Sequence, residues 1–282
     1  EAVLGAIDET VAVVMITEVD YRSGRRHDMA ALSKRAHEVG ALIVWDLAHS
    51  AGAFPLNVAK DGADFAVGCS YKYLNSGPGG PAFIYVAPRH VNRVKPALSG
   101  WLGHDAPFAF DPDYRPAAGV ERMRVGTPPI LQLAALEAAL DIWDAVDLHD
   151  LRAACLSLGD RFIAGVEAAC PTLRLVTPRA HDQRGSQISF AHPDGYAIMQ
   201  ALIARGVICD YRAGDGALHK DILRFGLTPL YIGFEDVWNA VEQLRQDDVH
   251  SRLLRDAGRG KAVAGAQASR HTLSNGPSLR GL

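Results

Sequence analysis

Cysteine is scarce: there are four in 282 residues, Cys69, Cys155, Cys170 and Cys209, and no two form a C-x-x-C pair. Such spacing excludes a disulfide framework and a zinc site, and reads as the reduced thiols of a cytoplasmic protein. No other metal-ligand pattern stands out. An excess of one charge is also missing. Lys and Arg number 29 against 32 Asp and Glu, a formal charge of -3, which leaves no electrostatic footprint for nucleic acid. Long apolar runs are absent, because charges or glycine interrupt each one within about ten residues, short of a membrane span. The chain begins at Glu1 without an initiator methionine and without the succession of a leader peptide. It is expected to open inside an α/β domain.

What is present is ordinary for a globular protein, with 48% hydrophobic and 22% charged residues and a length that suits one large or two ordinary domains. The run 11–16 (Val-Ala-Val-Val-Met-Ile) reads as a strand buried on both faces and ends in a polar loop, 18–24. Asp28 is placed to cap a helix in which Met29, Leu32, Ala36 and Val39 recur at helical spacing, and Gly40 to stop it. A second buried strand, 41–45, closes on Asp46. This β-α-β alternation predicts a mainly parallel sheet with ligands beyond the carboxyl ends of its strands. A third strand, 64–68, leads to Lys72, and 81–86 reads as a strand antiparallel to its neighbours.

The proline-rich passage 96–129 is long enough to suggest a functional loop. A helix is expected over 130–146 and a second to about Glu167. From about residue 150 the texture changes to short strands (173–176, 186–190, 207–211, 222–225) alternating with helices around 196–205 and 235–244. The expected domains are therefore 1–148, the large α/β domain; 149–247, a smaller α+β domain; and 248–282, a basic tail. From Val249 on, six Arg and Lys face only Asp256 among acids, so the tail reads as weakly ordered. A nucleic-acid arm is disfavoured there for want of aromatics or a presenting fold.

Lys72 sits between an apolar strand and a glycine-proline turn, where an ammonium is costly to bury and is often retained for chemistry such as Schiff-base formation. An acid, Asp46, stands at a neighbouring strand end. A carboxylate and an amine so placed suit pyridoxal phosphate (PLP), the one pairing with the pyridine nitrogen and the other bonding the cofactor. A surface lysine and a turn acid remain the plain alternative.

The stretch VWDLAHSAGAFPLNVAKDGADFAVGCSYKYLNSGPGGPAFIYV, together with SGWLGH, RVGTPPI and LRFGLTPLYIGFEDV, resembles kynureninase. That family belongs to the aspartate-aminotransferase-like, fold type I PLP enzymes. The resemblance runs over residues 10–245 and implies a large domain incomplete at its N-terminus. It implies that Lys72 holds PLP and moves the substrate Cα proton, and that Asp46 binds the pyridine nitrogen with His49 beside the ring. Ala48 would pack on one ring face, and Tyr71 would reach the phosphate and relay protons. Trp101 and Thr127 would contact the phosphate from the second subunit of a homodimer. Arg224 would clamp the substrate α-carboxylate. Beyond the resemblance, His104 and Asp105 are candidates to line the aryl pocket. The implied reaction is hydrolysis of L-kynurenine, or its 3-hydroxy form, to an anthranilate and L-alanine, in tryptophan catabolism and NAD biosynthesis.

Taken singly, His49 reads as a structural histidine, Trp101 as a loop aromatic, Thr127 as a helix-start residue and Arg224 as half of a surface ion pair. The glycines 77–80 read as a turn. The nearest rival is a cysteine desulfurase or selenocysteine lyase. Those enzymes tend to carry His directly before the lysine and Gln three residues after the aspartate, where this chain has Tyr71 and His49, and no cysteine is expected on a loop near the site. The resemblance also expects an upstream phosphate-binding loop and a ring-stacking aromatic, so a second rival is an inactive fragment of the fold.

Overall fold

The computed structural model describes residues 2–246, so the expected basic tail lies outside the described residues. The chain divides into two compact units, Glu1–Leu156 with Pro178–Ser186 and Ser157–Thr177 with Gln187–Leu282.

In the first unit a short helix, α1 (Ala2–Gly5), precedes strand β1 (Val13–Thr17). Helix α2 (Met29–Glu38) leads to β2 (Leu42–Asp46), β3 (Phe65–Cys69) and β4 (Ala82–Val86). The sheet order is β1-β2-β3-β4, parallel through β3 and antiparallel at β4, as the sequence predicts. Asp28 caps α2 by accepting from the Ala31 N–H at 2.9 Å. The helix stops where Gly40 takes φ +82° and the Ala41 N–H reaches back to the Ala36 carbonyl at 2.9 Å. Its buried face of Met29, Leu32 and Ala36 joins Ile43, Trp45 and Ala66 in one core.

That core covers only one side of the sheet. Met15 is 71% and Val13 53% exposed, and Leu42 and Ile84 are exposed as well. The expectation that residues 11–16 and 41–45 are buried on both faces is therefore corrected. Apolar composition does not reveal which face α2 covers, and β1 is an edge strand with one neighbour among the described residues. The passage 18–24 is not simply a polar loop either, since Glu18 and Val19 are fully buried.

Asp64, 1% exposed, knits this layer together. Its carboxylate accepts from the Ile43 N–H at 2.9 Å, His37 Nε2 at 2.9 Å, His90 Nε2 at 2.6 Å and the Arg89 guanidinium at 3.0 and 2.5 Å. The acid thereby ties α2, β2 and the segment after β4 to the start of β3.

The long loop is built from three 3₁₀ turns at Trp101–Gly103, Pro107–Ala109 and Gly119–Met123. Helix α3 (Ile130–Leu140) ends sooner than expected and gives way to a 3₁₀ turn, Asp141–Ala145, before α4 (Leu148–Ala169). The division between the units falls within α4.

In the second unit an antiparallel sheet is ordered β5-β6-β8-β7, from β5 (Arg174–Leu175), β6 (Gln187–Ala191), β7 (Asp210–Arg212) and β8 (Ile222–Gly226). Helices α5 (Gly195–Ile203) and α6 (Phe234–Arg245) complete it. Its core sets Phe162 4.8 Å from Phe225 and edge-on to Phe190. The outer strands are shorter or shifted relative to the sequence reading, because pairing partners and not composition set where a strand stops.

Candidate active site

The carboxyl ends of β2 and β3 lie side by side, with Asp46 in register with Val67. Beyond β2 the chain turns at once. Leu47 N–H donates to the Val67 carbonyl at 2.8 Å, and Ser50 N–H to the Leu47 carbonyl at 2.9 Å. The Asp46 carboxylate accepts from the Ala48 N–H at 2.8 Å, which fixes the acid at the mouth of the turn. Buried Ser50 ends it over Glu18, whose carboxyl burial pushes above the usual carboxylate range against the opposing pull of Arg26 at 3.0 Å.

Beyond β3, Ser70 is 1% exposed and anchors the lysine loop. Its hydroxyl donates to the Pro81 carbonyl at 2.6 Å and accepts from Ser76 Oγ at 2.8 Å. The loop folds back through Asn75, whose N–H meets the Lys72 carbonyl at 3.0 Å, and Gly80 closes onto Gly77. Residues 77–80 thus form a turn, as read from the sequence. The two segments touch at Gly52: with φ +83°, a Cβ there would lie 2.8 Å from the Tyr73 carbonyl carbon and oxygen.

Into this junction project four chemically distinct groups. Lys72 Nζ lies 3.2 Å from His49 Nε2, so a charged lysine donates and the imidazole accepts. The same ammonium lies 5.6 Å from the Tyr71 ring centroid. Tyr71 is 48% exposed, and its phenol is held above the ordinary tyrosine value by the charge of Cys69, then by burial, a hydrogen bond to Cys69 and the charge of Asp46. Amine, imidazole, phenol and carboxylate thus stand on the turn after β2 and the loop after β3, the carboxylate on the Ala48 N–H and the amine on His49. That set can bond a carbonyl carbon, hold a protonated ring nitrogen and move protons between them.

Comparison with known proteins places the chain in a family. A family model described as the kynureninase C-terminal domain matches residues 151–244. Kynureninase of Burkholderia mallei (strain SAVP1) is 53% identical over 242 residues, 85% of this chain. The chain belongs to the kynureninase family. It spans 57% of the length of that relative. Among solved structures, an apo cysteine desulfurase from Thermococcus onnurineus NA1 superposes with TM-score 0.73 at 22% identity, over 86% of this chain and 61% of its own. A C-DES variant with glycine covalently linked to its PLP cofactor superposes with TM-score 0.74 at 18% identity, over 86% of this chain and 62% of its own. The fold is that of the fold type I, aspartate-aminotransferase-like enzymes.

The residues carried over from the kynureninase pattern fall into three places. Asp46, Ala48, His49, Tyr71 and Lys72 meet at the junction. Trp101, His104 and Thr127 line a separate surface cavity of about 570 Å³ formed by the long loop. There Trp101 is 47% exposed and packs edge-on to Phe108. His104 is buried, with Nε2 donating to the Asp113 carbonyl at 3.1 Å and Nδ1 accepting from the Ala106 N–H at 2.9 Å. Arg224, in the second unit, is paired with Asp210, which also holds Arg212 at 2.6 Å.

Sequence reasoning passed over two groups. Glu18 looked like the start of a loop, and only its burial behind Ser50 marks it. Cys69 lies nearer the site than expected, its Sγ 3.8 Å from the Ala48 carbonyl. The available signal was its place two residues before Tyr71 at a strand end.

Proposed function

We propose that this chain is the part of a kynureninase that carries the cofactor lysine and the substrate-carboxylate arginine. In this reading the enzyme is a PLP-dependent hydrolase that converts L-kynurenine, or its 3-hydroxy form, and water to an anthranilate and L-alanine. The observation that carries it is the 3.2 Å approach of Lys72 Nζ to His49 Nε2 beside Asp46, at adjoining strand ends. The donor set fits PLP: a primary amine for the aldehyde, a carboxylate for the pyridinium, ring groups for the remaining polar atoms, and a methyl-sized side chain at Ala48 that leaves room for a flat ring.

PLP supplies an electron sink for bonds broken next to the amino group. Lys72 would hold the cofactor through its amine and, as a free amine, would carry the substrate Cα proton. The Asp46 carboxylate would pair with the pyridine nitrogen and keep it protonated. His49 accepts from Lys72 and so holds the amine aimed at one place. Tyr71, exposed and slow to lose its proton, is suited to donate to the phosphate and to relay a proton as the Cβ–Cγ bond breaks. Arg224, its guanidinium oriented by Asp210, has the planar fork suited to clamp an α-carboxylate.

Trp101 and Thr127 stand outside the lysine junction on exposed loop surface, which suits contact with the phosphate of a second subunit in a homodimer. His104, with both ring nitrogens committed to the loop, would shape the aryl pocket by its position. The span 149–247 serves as the smaller domain and the cytoplasm as the compartment; no helix among the described residues is long and apolar enough to cross a membrane.

The test is spectroscopic. Mixed with PLP, the chain should develop the visible absorption band of lysine-bound cofactor, and Lys72→Ala should abolish it. A folded chain whose PLP uptake is the same with and without Lys72 overturns the assignment. Anthranilate fluorescence after addition of kynurenine reports turnover, and release of sulfide from cysteine would favour the desulfurase reading.

A further inference from the structure

Arg224, the carboxylate clamp of the proposed enzyme, already holds a carboxylate. Asp210 lies directly opposite it across the β7–β8 pair, and Arg212, two residues on, stands on the same face of β7. The acid divides its oxygens between two tasks. Oδ1 accepts from the Tyr211 N–H at 2.8 Å and from Arg212 Nη1 at 2.6 Å, while Oδ2 accepts from Arg224. Arg212 is braced in turn, Nη1 donating also to the Tyr211 carbonyl at 2.8 Å. The Arg224 side chain is 13% exposed and that of Asp210 43%, so the acid is the more open member of the pair.

An incoming carboxylate therefore competes with Oδ2 for the Arg224 fork. Losing that contact leaves Asp210 with both donors to Oδ1 and with water for Oδ2. The charges agree with such an exchange. Two guanidiniums and one carboxylate carry a net +1, which attracts an anion, and a second carboxylate brings the group to neutral. We propose that Asp210 is the positioning residue of the clamp and also its built-in competitor. It holds Arg224 in place before substrate arrives, then yields the fork to the substrate α-carboxylate and stays on Arg212. The inference rests on the reading of Arg224 as the clamp, but it requires no PLP, since all three side chains stand on one sheet of the second unit.

An acid that only orients the arginine and an acid that competes with the ligand predict opposite effects when the acid is neutralised. In the 282-residue chain, acetate is titrated against chloride at constant ionic strength. The Arg224 Nε–H and the Tyr211 backbone amide are followed by heteronuclear NMR. Asp210→Asn keeps an oxygen for the Tyr211 N–H and should tighten acetate binding about fivefold, the equivalent of one half-exposed ion pair. Asp210→Ala should change it in the same direction and serves if circular dichroism shows the Asn variant unfolded. No binding, or binding unchanged or weaker in the folded variant, overturns the proposal. Arg212→Gln should weaken binding in the wild-type chain and cost much less beside Asp210→Asn, because the acid it holds is then neutral. Equal losses in the two backgrounds also overturn it.

The two failures are distinguishable. If acetate perturbs the Tyr211 amide equally in Arg224→Gln, Arg224 is not the clamp and the proposal falls with that reading. If binding requires Arg224 but does not tighten in Asp210→Asn, the clamp stands and only the competition is refuted. A chain that shows the tightening but takes up no PLP would refute the cofactor reading and leave the exchange at Asp210 standing.

Discussion

Replacing Asp64 by Asn tests whether the sheet that carries the site is held by one buried carboxylate. The side chain is nearly isosteric, but one acceptor oxygen becomes an amide donor facing donors. The Ile43 N–H is fully buried, and if it loses its partner the cost is about 1–3 kcal/mol. His90, 19% exposed, adds about 1 kcal/mol. His37 and Arg89 are 39% and 45% exposed and regain water, so their ion pairs contribute little beyond this. The expected loss is roughly 2–4 kcal/mol, below the upper range for breaking a fully buried pair.

In urea this moves the unfolding midpoint of the first unit by roughly 1–2 M for a slope near 2 kcal/mol/M. Fluorescence of Trp45 reports it, since its indole is buried in the same core and donates to Ser33 Oγ. The pH dependence has a definite sign. Burial alone would raise the Asp64 value, but hydrogen bonds from Ile43, His90, His37 and Arg89 outweigh it and hold the carboxyl well below the usual range. A depressed folded value means stability that is present above the unfolded value, about 3.9, and lost as pH falls through the folded one. Asn cannot titrate, so the gap between wild type and variant should narrow below about pH 4. A variant within roughly 0.5 kcal/mol of wild type at neutral pH, or a gap constant down to strong acid, would refute the reasoning.

Other substitutions probe the junction itself. Gly52→Ala must adopt φ +83° and press a methyl group against the Tyr73 backbone, and should cost roughly 2–4 kcal/mol in thermal or urea unfolding. Asp28→Ala removes the cap of α2 and should cost about 1 kcal/mol in urea with an unchanged slope. Asp46→Asn keeps an oxygen for the Ala48 N–H, so stability should stay within roughly 0.5 kcal/mol while PLP uptake weakens in a cofactor titration. Equal PLP affinity in that variant would count against the pyridine-nitrogen role.

Much of the layout was legible in local sequence. The cap at Asp28, the stop at Gly40 and the β-α-β rhythm depend on neighbours a few residues away, and all three appear in the fold. So does the antiparallel turn into β4, because a glycine-rich turn of that length reverses the chain. Asp46 and Lys72 could be recognised as strand-end residues for the same reason: where an apolar run stops is a local property.

Burial and partnership are not local. The residues 11–16 are apolar enough for a core, yet Met15 faces outward because α2 covers only the other side of the sheet. Nothing near Asp64 in sequence announces that His37, Ile43, Arg89 and His90 converge on it. Arg224 read as a free clamp or a surface pair, and only strand pairing across β7 and β8 sets it against Asp210. The sequence by itself determined the elements, their order and the chemistry at the strand ends. The tertiary structure decided which faces are open, which charges are neutralised, and that the Cys69 thiol comes to 3.8 Å from the Ala48 carbonyl, because these depend on segments that meet only when the sheet is assembled.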